Sequence, residues 1–176
     1  MKNEIYKRIL SSILLIPLSF FFIIKGSFFF IFFLAVCFLI TSYEWHMMSK
    51  RKKYYLVGYI FLFFSFVSVY ELRNNFSGDY FYLLLITTIC IATDIGGYIF
   101  GKTFKGPKLT KISPNKTYSG MIGGFFLSII FTNILVNNLY FIQTKIEFNK
   151  EFFFIVLLVS AVSQLGDILI SYFKRL

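Results

Sequence analysis

Two carboxylates inside strongly apolar segments are the first pointer to chemistry in this 176-residue chain. Asp94 and Asp167 each lie seven residues before their segment becomes polar, at Gly101 and Lys174 respectively. At 1.5 Å per helical residue, both carboxylates would lie roughly 10 Å below one membrane surface. An ionised aspartate that faces lipid is costly, so we expect both side chains to face a bundle interior or a water-filled cavity.

A cationic loop follows Asp94 and ends at Thr117. It contains no acid and five lysines, namely Lys102, Lys105, Lys108, Lys111 and Lys116. We expect Ser113 to cap the next helix and Pro114 to be its first residue, with Lys116 and Thr117 in its first turn. Amides, hydroxyls and a lysine at a helix start bind anions. The alternative is an ordinary helix cap with basic residues beside the membrane.

These residue types together predict a metal and phosphate site at a membrane surface. Carboxylate oxygens suit Mg²⁺, which keeps several waters and bridges to substrate phosphates. Two structural alternatives remain open for the aspartates. Each could hydrogen-bond a neighbouring helix, or one could act as a proton relay.

Composition indicates a membrane protein, because 57% of the residues are hydrophobic and only 15% are charged. The formal charge of +10 is spread over short basic clusters between apolar runs, which indicates membrane topology and no nucleic-acid partner. Cys37 and Cys90 lie inside apolar runs and suggest neither a disulfide framework nor a metal site. His46 is interpreted as a membrane-interface residue.

The elements that must position these groups are apolar segments of near membrane-spanning length. Six are apparent, at residues 9–24, 28–48, 54–70, 80–100, 119–142 and 152–173. We therefore predict an all-α, polytopic membrane protein with about six transmembrane helices, forming a single transmembrane domain over residues 1–176. The first segment follows three basic residues and is interpreted as an uncleaved anchor.

Basic residues also predict the orientation of the chain. If the N-terminus is cytoplasmic, 14 of the 18 lysines and arginines fall in cytoplasmic segments. Both termini and the loop between Asp94 and Thr117 would then be cytoplasmic.

Glycines near the aspartates have a packing interpretation. Gly97 and Gly101, like Gly120 and Gly124, are four residues apart and would allow close helix contact. The stretch from Gly96 to Thr103 also fits the P-loop expression. A P-loop requires a strand before it, whereas this stretch continues an apolar helix, so we reject a P-loop.

Several of these residues resemble a known family in the order expected for it. The matching stretches are Asp94-x-Gly-Gly-Tyr-x-Phe-Gly-Lys, Lys108-Leu, Ile112-Ser-Pro-x-Lys-Thr, Gly120-x-x-Gly-Gly and Gln164-Leu-Gly-Asp-Ile-Leu-Ile-Ser-Tyr-Phe-Lys-Arg. They resemble phosphatidate cytidylyltransferases over nearly the whole chain.

The resemblance implies an activity and roles for residues. CTP and phosphatidic acid would give CDP-diacylglycerol and pyrophosphate, with Mg²⁺ and a second cation as an option. Asp167 would be the metal ligand, with Lys116, Lys174 and Arg175 as further catalytic residues. Asp94, Ser113, Pro114 and Thr117 would bind substrate. The enzyme would lie in the cell (inner) membrane with its active site facing the cytoplasm, and a homodimer is compatible with the resemblance.

Two departures from the family pattern qualify this expectation. The chain has Ile170 where the family usually has glutamate. The family signature also continues beyond Lys-Arg to His-Gly-Gly-x-x-Asp-Arg-x-Asp, with a second metal-binding carboxylate, whereas this sequence ends at Leu176. We therefore expect little or no transferase activity from residues 1–176 alone, with the C-terminal part of the family domain missing.

Two other functions remain as alternatives. A CTP-dependent lipid kinase of the dolichol or phytol type would transfer the γ-phosphate and release CDP. An ion-coupled membrane carrier would use Asp94 and Asp167 as intramembrane ion sites and show no nucleotide dependence.

Overall fold

The computed structural model describes residues 2–50, 52, 54–74, 80–110, 113, 116–138 and 149–175. Side chains are described from residue 13 onward, except that of residue 138. Within these ranges the chain forms six α-helices. They are α1 (Lys2–Lys25), α2 (Ser27–Ser49), α3 (Tyr55–Asn74), α4 (Phe81–Phe104), α5 (Tyr118–Asn138) and α6 (Lys150–Phe173). The prediction of a polytopic helical membrane protein is confirmed.

Five of the described helices, α2 to α6, are long and apolar enough to cross a membrane. The apolar part of α1 with described side chains is shorter, at Ile13–Lys25. The helices also run past the predicted apolar limits. In particular, α4 continues to Phe104, because backbone hydrogen bonding does not stop where the side chains become polar. The orientation of the termini stays a prediction.

The chain divides into two compact units, Met1–Leu84 and Leu85–Leu176. The expectation of one transmembrane domain over the whole chain stays a prediction. In the first unit, Trp45 of α2 lies against Gly58 of α3, where a Cβ atom would collide with the indole ring. The indole Nε1 also donates to the carbonyl of Tyr55 at 3.0 Å. His46 Nδ1 lies 3.0 Å from the Tyr55 hydroxyl, which gives the histidine a helix-pairing role.

In the second unit, glycines bring the backbones of α4 and α5 into contact. A Cβ atom on Gly96 would collide with the carbonyl oxygen of Gly123, and one on Gly120 would lie 2.7 Å from the Gly97 oxygen. The prediction of close packing by these glycines is confirmed. Helix α6 joins the pair through the buried hydroxyls of Thr93 and Ser160, which are 2.8 Å apart.

Candidate functional site

A cavity of about 230 Å³ lies in the second unit, where α4, α5 and α6 meet the loop between α4 and α5. Its described lining consists of Thr93, Asp94, Gly97, Tyr98, Leu109, Lys116, Thr117, Gly120, Met121, Gln164 and Asp167. The structure thus brings Asp94 and Asp167, from two helices, to one cavity together with Lys116 and Thr117. Each of these four side chains was a candidate site residue.

An ion pair joins the loop to α6 inside this cavity. Lys116 Nζ lies 2.8 Å from Asp167 Oδ2, and it also donates to the Gln164 carbonyl oxygen at 3.4 Å. The side chains are 27% and 56% exposed, so the pair is open to water and to a ligand. Asp94 is also exposed and is on the α4 wall of the same cavity. A lysine paired with a partly exposed carboxylate can exchange that carboxylate for a phosphate oxygen.

The loop is held in place by its own backbone. Leu109 N donates to the carbonyl of Lys116 at 2.8 Å, and Tyr118 N donates to that of Pro107 at 3.1 Å. Lys108 and Thr117 form an antiparallel bridge between these bonds. The two ends of the loop therefore run side by side, which fixes the backbone of Lys116 at the cavity.

The helix cap differs from the sequence prediction. Helix α5 begins at Tyr118, and the Thr117 hydroxyl accepts from Gly120 N at 3.1 Å, which makes Thr117 the N-cap residue. Ser113 does not cap the helix. It is 7% exposed, and its carbonyl accepts from Lys116 N at 3.0 Å in the turn before the helix. The folded-back loop favours the later start, because it already uses the Tyr118 amide.

This cap changes the anion-binding prediction. The amides of Tyr118 and Gly120 are both hydrogen-bonded within the chain, so neither is free for a phosphate. The side chains of Lys116 and Thr117, which line the cavity, are the candidates for anion binding at this end of α5. The described lining of the cavity does not include Ser113. Pro114 lies outside the described residues.

Lys174 and Arg175 are placed at the end of α6 instead of in the cavity wall. Both are exposed and lie in a turn after Phe173, where Lys174 N donates to the Ile170 carbonyl at 3.0 Å. They are seven and eight residues beyond Asp167, or roughly 10–12 Å along the helix. The described lining of the cavity includes neither of them.

Comparison with known proteins identifies the family of the chain. Residues 54–176, which include α3 to α6 and the whole cavity, match the family model described as "Cytidylyltransferase family". The chain belongs to the cytidylyltransferase family.

Relatives of this cytidylyltransferase-family chain include two rickettsial proteins named phosphatidate cytidylyltransferase. The protein of Rickettsia typhi is 33% identical over 99% of this chain and 78% of its own length. That of Rickettsia bellii is 34% identical over 99% of this chain and 77% of its own length. A Staphylococcus aureus protein of the same name is 34% identical over 81% of this chain and 54% of its own length. No solved structure matches the chain.

The donor atoms around the cavity indicate whether it fits a divalent cation. Its carboxylates, the Thr117 hydroxyl and the Gln164 side-chain oxygen are hard oxygen donors of the type that Mg²⁺ prefers. Within the described residues there is no group of three or more His, Cys, Asp and Glu side chains that could hold a metal by itself. The donor set therefore fits Mg²⁺ that keeps waters and takes further oxygens from a substrate phosphate.

The cavity lining also includes residues that were not among the candidate site residues, and Gln164 and Tyr98 are two of them. Gln164 lies three residues before Asp167, and its Nε2 atom donates to the Met121 carbonyl at 3.4 Å, linking α6 to α5. Tyr98 lies four residues after Asp94 on α4. Residues at these spacings share one face of a helix, so the helical periodicity around each aspartate could have identified both.

Proposed function

We propose that this protein transfers the cytidylyl group of CTP to phosphatidic acid and so makes CDP-diacylglycerol and pyrophosphate. The observation that carries the proposal is the cavity in which Asp94, Asp167, Lys116 and Thr117 meet, within a chain of the cytidylyltransferase family. The names of its relatives indicate phosphatidate as the acceptor. The multi-pass helical architecture suits a lipid substrate.

The reaction is a substitution at phosphorus. A phosphate oxygen of phosphatidic acid attacks the α-phosphorus of CTP and forms the new P–O bond. The bond from the α-phosphorus to the bridging oxygen breaks, and that oxygen leaves with pyrophosphate. Catalysis of such transfers depends mainly on positioning and on neutralisation of charge.

Different residues of the cavity would position the substrates and neutralise their charge. Lys116 exchanges Asp167 for a phosphate oxygen, to which its ammonium donates. The Thr117 hydroxyl, fixed as the N-cap of α5, faces the same phosphates. Asp167 and Asp94 would hold Mg²⁺, which when bound supplies a Lewis acid and neutralises phosphate charge. Lys174 and Arg175 would attract the anionic substrates from the end of α6.

In this proposal the site lies close to a membrane surface. The acyl chains of phosphatidic acid remain in the bilayer while its headgroup reaches the cavity from the membrane surface. The excess of basic residues favours the cytoplasmic side of the cell (inner) membrane for this surface. A homodimer is compatible with the small interfaces between helices.

Product analysis tests the proposal. Because we expect little or no activity from residues 1–176 alone, the protein is purified as it exists in its native membrane. It is transferred into nanodiscs and given phosphatidic acid, Mg²⁺ and CTP labelled at either the α- or the γ-phosphate. We expect the α-label in a lipid and the γ-label in pyrophosphate. A γ-label in the lipid with release of CDP would instead establish a kinase, and an unlabelled lipid would contradict both enzymes.

A pair of acid substitutions completes this test. Asp167→Asn keeps the shape of the side chain but removes its charge, so we expect roughly a 100-fold or greater loss of turnover. Glu151→Gln makes the same change in the first turn of α6, away from the cavity, and should leave turnover within about twofold. Equal activity of the two variants would remove Asp167 from the mechanism.

A further inference from the structure

Tyr98 has a distinctive position at the rim of the cavity. It is the one aromatic side chain in the described lining, and 59% of the residue is exposed. It lies four residues beyond Asp94 on α4, nearer the helix end that enters the polar loop. The ring is therefore about one helical turn closer to water than the carboxylate.

Lys102 contacts the Tyr98 ring. Its ammonium nitrogen lies 5.5 Å from the ring centre and 3.4 Å from the phenolic oxygen. A lysine within about 6 Å of an aromatic ring centre makes a favourable cation–π contact. The contact orients the ring while most of the residue stays accessible to a ligand.

The size of the cavity limits which part of a nucleotide can enter it. Its volume of about 230 Å³ is below the roughly 300–1,000 Å³ of sites that enclose a whole small molecule. The charged groups around Lys116 and Asp167 suit the phosphates. A nucleotide whose phosphates occupy this cavity leaves its nucleoside outside it, on the side of the exposed Tyr98 ring.

The position of Tyr98 along α4 favours contact with the nucleotide over contact with the lipid. The acyl chains must stay in the hydrocarbon region, whereas CTP arrives from water. Tyr98 lies on the loop side of Asp94, which is the aqueous side of the phosphates in the proposed complex. A base stacked on this ring would keep its phosphates pointed into the cavity.

We infer that Tyr98 is a nucleotide-binding residue whose ring stacks on the cytosine base of CTP. The inference rests on the proposed function and adds to it a site for the base. Stacking of a base on an aromatic side chain is sequence-tolerant, because every base has a π-face. Tyr98 should therefore increase affinity for the nucleotide without choosing cytosine over uracil.

Three variants test the inference in nanodiscs. Tyr98→Leu removes the ring, Tyr98→Phe keeps it, and Tyr43→Leu makes the leucine change at a 67% exposed tyrosine on α2. We expect Tyr98→Leu to raise the KM and the dissociation constant of CTP roughly 5-fold to 150-fold. The other two variants should stay within about threefold of the wild type.

A second readout separates base binding from general damage. Pyrophosphate has no base, so its inhibition constant should be unchanged in Tyr98→Leu, as should the KM for phosphatidic acid. Competition by UTP should weaken as much as binding of CTP. If all four constants shift together, Tyr98 is a structural residue and the inference is overturned.

Other outcomes are equally decisive. A CTP affinity of Tyr98→Leu within twofold of the wild type would make Tyr98 an ordinary membrane-interface tyrosine. A change confined to phosphatidic acid would assign the ring to the lipid. Both results overturn the inference while the wild type still makes CDP-diacylglycerol. Failure of the wild type to make that product would overturn the proposed function itself.

Discussion

Lys116 and Asp167 are 51 residues apart in sequence, yet their side chains form the charged centre of the cavity. The lysine is placed by the folded-back loop, and the aspartate by α6. Each is partly exposed, so their mutual attraction is screened by water and contributes little to stability. A partly exposed pair of this kind is suited to exchange of partners with an anionic ligand.

Replacement of Lys116 should therefore affect turnover more than folding. Lys116→Met keeps the aliphatic stem but removes the ammonium. We expect kcat/KM for CTP to fall roughly 10-fold to 150-fold, because this range corresponds to the loss of one charge-assisted hydrogen bond. Steady-state kinetics in nanodiscs measures this. Lys105→Met changes an exposed lysine of the same loop that is outside the described cavity lining, and should retain full activity.

The two variants should also agree in thermal stability. A lower melting temperature for Lys116→Met alone would show that the ion pair holds the loop and that its kinetic effect is indirect. Similar kinetic losses in both variants would indicate that the loop lysines act through their summed charge.

At the scale of elements, the second unit depends on the close approach of α4 and α5. Glycines on both helices allow this approach, and it brings the backbone of Gly97 to the start of α5. Thr117 and Asp94 can line one small cavity because no side chains separate the two helices there. The packing motif and the candidate site are therefore structurally linked.

Addition of one methyl group tests this link. A Cβ atom on Gly96 would meet the backbone of both Gly123 and Gly124, so Gly96→Ala should destabilise the protein by roughly 1–3 kcal/mol. We expect an apparent melting temperature in nanodiscs lower by roughly 2–12 °C. Differential scanning fluorimetry measures the shift.

Gly166 is the matched control on α6. Apart from the backbone of its own helix, a Cβ atom there would meet no described atom within 4 Å, and alanine is the better helix former. Gly166→Ala should melt at or above the wild-type temperature. A Gly96→Ala protein as stable as this control would show that α4 and α5 do not pack as closely as described.

At the scale of the whole molecule, the distribution of basic residues predicts the side of the membrane on which the cavity opens. We expect a cysteine at Lys108, in the loop, to react with a membrane-impermeant maleimide in inverted vesicles and to be protected in intact spheroplasts. A cysteine at Asn74, at the end of α3, should show the opposite pattern. Both are introduced after replacement of Cys37 and Cys90 by alanine.

Labelling of both positions from one side would refute the predicted alternation of the helices. Labelling of Lys108→Cys only from outside would reverse the proposed orientation. An outward-facing cavity would have no access to cytoplasmic CTP, so that result would also contradict the proposed function.

The sequence by itself determined the properties that depend on local composition and periodicity. Apolar length gave the helices, because each must satisfy its own backbone hydrogen bonds in lipid. Because a charge in lipid is costly, Asp94 and Asp167 were predicted to face a bundle interior or a cavity. Glycine spacing indicated the close contact of α4 and α5.

Only the tertiary structure decided which of these groups meet. The pairing of Lys116 with Asp167 and the cap at Thr117 in place of Ser113 both depend on how the loop folds back against the helices. A local pattern fixes the period of a helix but not its rotation about its axis, nor how a loop folds back. Those are fixed when backbones pack and the loop ends form hydrogen bonds, and neither event is encoded within a single segment.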